Sequence, residues 1–206
     1  MKKYVVELIG TFFLVLTVGG AVIGGAGALA PVAIGSALMV MIFAGGHISG
    51  AHYNPAVTLG ACLRGACSWA DAPGYVIAQL VGGAAAAGII GGVFGLSNAE
   101  AATLSVGPTI IAEIIGTFAL VYVILNVATA KANDGNSFYG LAIGFTVTAM
   151  AYTLGGISGG AFNPAVALGA GMMNLVSLSD IWMHIVGNLV GGALAAFVFL
   201  FVNGTE

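Results

Sequence analysis

Charge is what this sequence has least of. Of 206 residues only 5% are Asp, Glu, Lys or Arg while 60% are hydrophobic, and a soluble domain needs about a quarter charged residues to clothe its surface. That scarcity excludes an ordinary water-soluble fold. Lys and Arg number four against seven acidic residues, for a net charge of −3 and no basic cluster, so there is no electrostatic footprint for nucleic acid. Cysteine occurs twice, as Cys62 and Cys67, without the spaced His and Cys partners of a zinc site; both read as small membrane-protein residues. No nucleophile–base pair or metal-ligand constellation appears, so no enzyme, cofactor or metal is expected. Glycine is abundant, with 34 residues but no strict Gly-X-Y period, which excludes collagen and fits helices packed backbone to backbone in lipid.

What is there is apolar length. Runs at 32–44, 74–96, 110–130, 138–154 and 181–202 are near or above the roughly 20 residues that carry a helix across hydrocarbon. Lys2 and Lys3 precede another apolar stretch. No small-residue cleavage site stands out there, so that stretch reads as a retained first helix. Spanning helices are expected near 4–24, 32–49, 73–96, 109–130, 138–157 and 181–202.

The chain is written twice. Residues 7–12 (ELIGTF) recur as 113–118 (EIIGTF), 48–57 (ISGAHYNPAV) as 157–166 (ISGGAFNPAV), and 80–87 (LVGGAAAA) as 189–196 (LVGGALAA). The expected organisation is one channel-like domain over 1–206, with halves at about 1–105 and 106–206. Three spans per half make the second copy enter from the opposite face, as an inverted repeat. With the amino terminus inside, Lys2, Lys3, Arg64 and Lys131 all fall inside, as the positive-inside rule requires. Both termini of this multi-pass chain are then expected on the cytoplasmic side of a cell (inner) membrane.

Two tripeptides, Asn54-Pro55-Ala56 and Asn163-Pro164-Ala165, each follow a Gly-rich stretch and precede an apolar segment too short to span, 56–63 and 165–173. Asn caps helix starts and Pro is tolerated in a first turn, so both read as the starts of re-entrant half-helices. Irregular backbone survives at membrane depth only where it is buried or lines a wet cavity, which implies a pore. Two helix amino-termini meeting there place about half a positive charge each beside the lumen and repel cations and protons. The Asn54 and Asn163 amides are the donors expected to meet a passing oxygen.

On Glu7 with Gly10-Thr11-Phe12, on the run from Gly46 to Thr58, and on Ser158-Gly159 before Asn163-Pro164-Ala165, the chain resembles the aquaporin and aquaglyceroporin (major intrinsic protein) family over essentially its whole length. The resemblance implies an all-α integral membrane fold of six helices and two half-helices, and a homotetramer with one pore per protomer. In proteins like this one, the glutamates matching Glu7 and Glu113 accept hydrogen bonds from the re-entrant loops. Support is therefore expected of them rather than a proton relay, since a buried charge must be paired. His47 is expected to brace the first loop rather than to titrate and gate. His52 and His184 suggest nothing sharper.

The resemblance also carries a selectivity tetrad, which falls on Ile34, Ala151, Gly160 and Val166. Here the chain departs from the family. The usual arginine is Val166, the helix-five position that is often His is Ala151, and the aromatic wedge is Ile34. Val lacks the fixed donors and charge of Arg, so the mouth is expected to be wide and apolar unless Tyr53, Phe162 or Tyr152 refills it. The expected function is passive passage of small uncharged solutes: water, glycerol-like polyols, urea or, by analogy with relatives carrying an aliphatic residue in place of the arginine, neutral metalloid hydroxides. A water-selective pore with another constriction is the alternative. An ion-coupled transporter is the more distant one, since apart from Glu7 and Glu113 no intramembrane ionisable pair is present.

Overall fold

Proline position explains much of where the helices begin. Every N–H in a bilayer needs a partner, except in the first turn of a helix, where proline removes a donor that has no intrahelical acceptor anyway. All five prolines occupy such turns: Pro31, Pro55, Pro73, Pro108 and Pro164. The computed structural model describes residues 1–96, 99 and 101–204. It comprises α1 (Lys2–Ile23), α2 (Ala30–Ser49), α3 (Pro55–Arg64), α4 (Ala72–Phe94), α5 (Val106–Thr129), α6 (Tyr139–Ser158), α7 (Pro164–Met172) and α8 (Ile181–Asn203). Six of these are long and apolar enough to cross a membrane, while α3 and α7 are not. The expected start of the fourth span, near 109, moves back to Val106, because Pro108 fits within the first turn.

In each half the first and third long helices pack along one another, α1 on α4 and α5 on α8, and α2 meets α6 across the middle. The half-helices cross over: α3 lies mainly against α8, and α7 against α4. Large apolar side chains such as Val5, Ile9, Phe13, Val93 and Phe201 stay exposed on the outside. In a span that surface faces lipid, not water.

Close backbone approach makes the α1–α4 and α5–α8 pairs possible. A Cβ on Gly82 would overlap the Leu8 carbonyl and lie 3.2 Å from the Phe12 nitrogen; one on Gly191 would lie 3.0 Å from the Phe118 nitrogen and 3.1 Å from Thr117 Cβ. At the end that carries the amino terminus, Lys3 Nζ lies 2.6 Å from Asp71 Oδ2 and Tyr4 donates to Asp71 Oδ1 at 3.0 Å, tying α1 to the start of α4. The Lys3 ammonium, with help from Tyr4, holds the Asp71 carboxyl below its ordinary range. The pair is therefore present at neutral pH and is lost only as pH falls through that lowered value.

Gly82→Val is expected to lower stability by about 1–3 kcal/mol or more, the usual penalty of an overpacked interior. Thermal unfolding in detergent checks this, with the exposed Gly88, whose added Cβ meets nothing within 4 Å, as the control for a glycine replaced in the same helix.

Candidate pore and its supporting loops

The two re-entrant loops are built by the same hydrogen bonds. α2 ends at Gly50, which is left-handed (φ 81), and the chain then runs through Ala51, His52 and Tyr53 to Asn54. The second loop leaves α6 at Gly159 (φ 86) and runs through Gly160, Ala161 and Phe162 to Asn163. Ala51 (φ 52), Tyr53 (φ 50), Gly160 (φ 66) and Phe162 (φ 48) are also left-handed, and for residues with a Cβ that geometry costs roughly 1–2 kcal/mol each. Something must over-determine it.

Two buried carboxylates do so. Glu7 Oε1 accepts from Ser49 Oγ (2.7 Å) and His52 N (2.9 Å), and Oε2 accepts from Tyr53 N (2.6 Å) and Gln79 Nε2 (2.8 Å). Glu113 repeats the set with Ser158 Oγ (2.6 Å), Ala161 N (3.0 Å), Phe162 N (2.7 Å) and Asn188 Nδ2 (2.6 Å). Both glutamates are wholly buried. Charge-assisted bonds to several donors are what keep such a group tolerable away from water. The rings of Tyr53 and Phe162 then seat against Gly10 and Gly116, where an added Cβ would overlap them.

His47 does not brace the first loop. Its side chain is exposed and makes no hydrogen bond among the described residues, because it points off the last turn of α2 into a wide vestibule at the end that carries the amino terminus. The brace is Tyr75, whose hydroxyl donates to Ser49 O at 2.6 Å. In the second half His184 takes the same role: its Nε2 lies 2.7 Å from Ser158 O, which requires the proton on Nε2. Sequence reasoning passed over Tyr75, Gln79, His184 and Asn188. A signal was available, because Gln79 and Asn188 are polar residues standing directly before the repeated LVGGA segments.

The half-helices meet at their amino-termini. Asn54 is extended (φ −159, ψ 122), its Oδ1 caps Ala56 N at 2.8 Å, and its Nδ2 donates to Phe162 O of the opposite loop at 2.9 Å. Asn163 mirrors it, with Oδ1 capping Ala165 N at 2.9 Å and Nδ2 donating to Tyr53 O at 2.8 Å. Each backbone carbonyl also accepts the first helical bond, from Thr58 N and Ala167 N. A primary amide carries two N–H bonds. One per Asn is spent on the seam, and one is left for the lumen.

Both asparagines border a cavity of about 430 Å³. A wider space of about 940 Å³ opens toward the end where the amino terminus lies, and Ile42, Ala51, His52, Ile124 and Ile143 border both. All four tetrad positions, Ile34, Ala151, Gly160 and Val166, border the smaller cavity. Its wall is otherwise aliphatic, and its polar side chains are Asn54, Asn163, His52 and His184, with no charged group among the described residues. None of the three aromatics large enough to refill the mouth is there: Tyr53 and Phe162 are 1% exposed against their glycines, and Tyr152 is 54% exposed and bonded to Ala28 O. Gly160 has a reason of its own to be glycine, since its φ is 66 and a Cβ would lie 3.1 Å from Gly155 Cα. That position offers the lumen only backbone.

Glu7→Gln replaces one acceptor oxygen with an NH2 donor group, leaving loop N–H or O–H groups unpaired at about 1–3 kcal/mol each. The variant is expected to unfold earlier in detergent by an amount of that order, and Glu113→Gln likewise. Unfolding curves indistinguishable from wild type would show that the carboxylates do not hold the loops.

The sequence profile described as Major intrinsic protein matches residues 1–199. Similar chains include Aquaporin NIP1-1 of Zea mays, 37% identical over 100% of this chain and 76% of its own length, and Probable aquaporin NIP4-2 of Arabidopsis thaliana, 35% identical over 100% and 76%. The X-ray structure of the aquaglyceroporin from Plasmodium falciparum superposes with a TM-score of 0.84, covering 96% of this chain and 94% of that one at 23% identity, and so shares the fold. With six spanning helices and a cavity bordered by two mirrored loops already in view, the chain belongs to the major intrinsic protein family.

Proposed function

We propose that this chain is a passive channel whose aliphatic constriction admits small uncharged solutes broader or less polar than water. A channel for water and small neutral solutes is the activity of the family to which the chain belongs. The finer reading rests on one observation: Val166 stands where an arginine is usual, beside Ile34, Ala151 and the backbone of Gly160, and no aromatic ring or charge takes up the space. Without a guanidinium, the mouth has neither the fixed donors that select a hydrogen-bonding solute nor its positive charge. The remaining barrier to cations is the pair of half-helix amino-termini at Asn54 and Asn163, while the free N–H of each amide guides the solute's oxygen through the seam. Solutes of the size of glycerol, urea or a neutral metalloid hydroxide suit such a passage.

Glu7 and Glu113 each accept bonds from fixed loop donors on both oxygens, which favours support over ion coupling. Lys3, Arg64 and Lys131 lie toward the end with the wider vestibule, so that end is assigned to the cytoplasm by the positive-inside rule. The apolar outer faces serve lipid and the neighbouring copies of a homotetramer.

Stopped-flow light scattering on proteoliposomes under gradients of sucrose, glycerol and urea tests the reading, with Val166→Arg alongside. Fast glycerol and urea entry is expected in wild type. In the variant an added barrier of about 1.4 kcal/mol would slow solute entry about tenfold. Fast water flux with solute exclusion in both proteins would overturn the wide filter.

A further inference from the structure

The inner mouth holds a feature that the channel reading leaves unused. α3 ends at Arg64, and the chain reverses at Gly65, left-handed at φ 86. Gly65 N donates to Cys62 O at 3.0 Å, Ala66 N to Ala61 O at 2.8 Å, and Cys67 N to Ala61 O at 3.1 Å. This is the bond pattern by which a left-handed cap folds the following residues back over the last helical turn. It returns Cys67 to Cys62. Both thiols reach one carbonyl, Ser68 O, at 3.9 and 3.7 Å, which brings the two sulfurs to the same side of the turn. Both cysteines are free. Cys62 is buried on the half-helix, whereas Cys67 is half-buried and lines the wide vestibule with Arg64 and Asp71. The corner is anchored independently: Arg64 Nη2 donates to Thr129 O at 3.1 Å, and its guanidinium lies 4.8 Å from the centre of the Phe199 ring.

We propose that Cys62 and Cys67 form a two-thiol site for trivalent arsenicals in the wall of the inner mouth, and that its occupation obstructs the pore. The reaction is a condensation. A species RAs(OH)2 exchanges two As–O bonds for two As–S bonds, each thiol proton leaves with a hydroxide as water, and arsenic stays trivalent. No oxidant or reductant takes part. Burial, with the neighbouring Cys62 thiol, pushes the Cys67 thiol up to about 12, and burial raises Cys62 as well. Both are therefore protonated at neutral pH and poorly reactive toward alkylating agents and hydroperoxides, which need a thiolate. A ligand that brings its own hydroxide as proton acceptor has no such need. The cap presets the two sulfurs, so the second As–S bond closes without further ordering of the chain.

The site is independent of which solute the channel carries; the obstruction alone rests on the channel reading. The test exposes the purified protein and its proteoliposomes to phenylarsine oxide, then to a monothiol or to dimercaptopropanol. Wild type is expected to retain one phenylarsenic group per chain by intact mass, to resist the monothiol and to release the group to the dithiol, while solute entry falls to the rate of empty liposomes and recovers on release. Cys67→Ser, in the half-exposed turn, and Cys62→Ser should each retain none and keep their flux. Retention that survives either substitution, or retention by wild type with flux unchanged, overturns the proposal. Were untreated wild type to carry no solute at all, the channel reading would fail, and retention would still decide the thiol pair.

Discussion

A backbone that stops halfway across a bilayer must find a partner for every N–H it exposes, and two buried carboxylates meet that demand here. Glu7 and Glu113 each gather a serine hydroxyl, two loop amides and a side-chain amide. The left-handed residues at 51, 53, 160 and 162 persist because those bonds hold them. From that follow the direction of the two half-helices, the meeting of Asn54 and Asn163, and the gap beside them. The cavity is a consequence of how the loops are pinned.

The two halves share this frame and differ in what they hang on it. Tyr75 and His184 make equivalent bonds to Ser49 and Ser158, but His52, whose ring lies 4.8 Å from that of Tyr75, has only Ala161 as its counterpart in the second loop. The first loop carries a polar ring to the cavity and the second does not. The asymmetry of the two loops is laid over a symmetric scaffold.

The spans, the half-helices and their start signals were legible because each rests on local chemistry: apolar length, an Asn cap, a proline in a first turn. Ile34, Ala151, Gly160 and Val166, far apart in the chain, border one cavity. His47 misled, since a histidine beside a conspicuous glycine run looks like a brace, yet helix phase turns it into the wide vestibule while Tyr75 reaches the loop from α4. Bonds that cross from one helix to another, such as Gln79 to Glu7 or Asn188 to Glu113, leave no periodic trace in the chain. The nearness of Cys62 and Cys67 was visible in the sequence, but the left-handed turn that folds one onto the other was not.

The crossing of the half-helices bears on the order in which the protein is made. α3 lies chiefly against α8, which is made after it, whereas α7 lies against α4, which is made before it. The first re-entrant segment is therefore made well before its chief packing partner, and the second after its own. A chain cut short before α8 leaves α3 at membrane depth without its largest packing face, while α7 keeps its own.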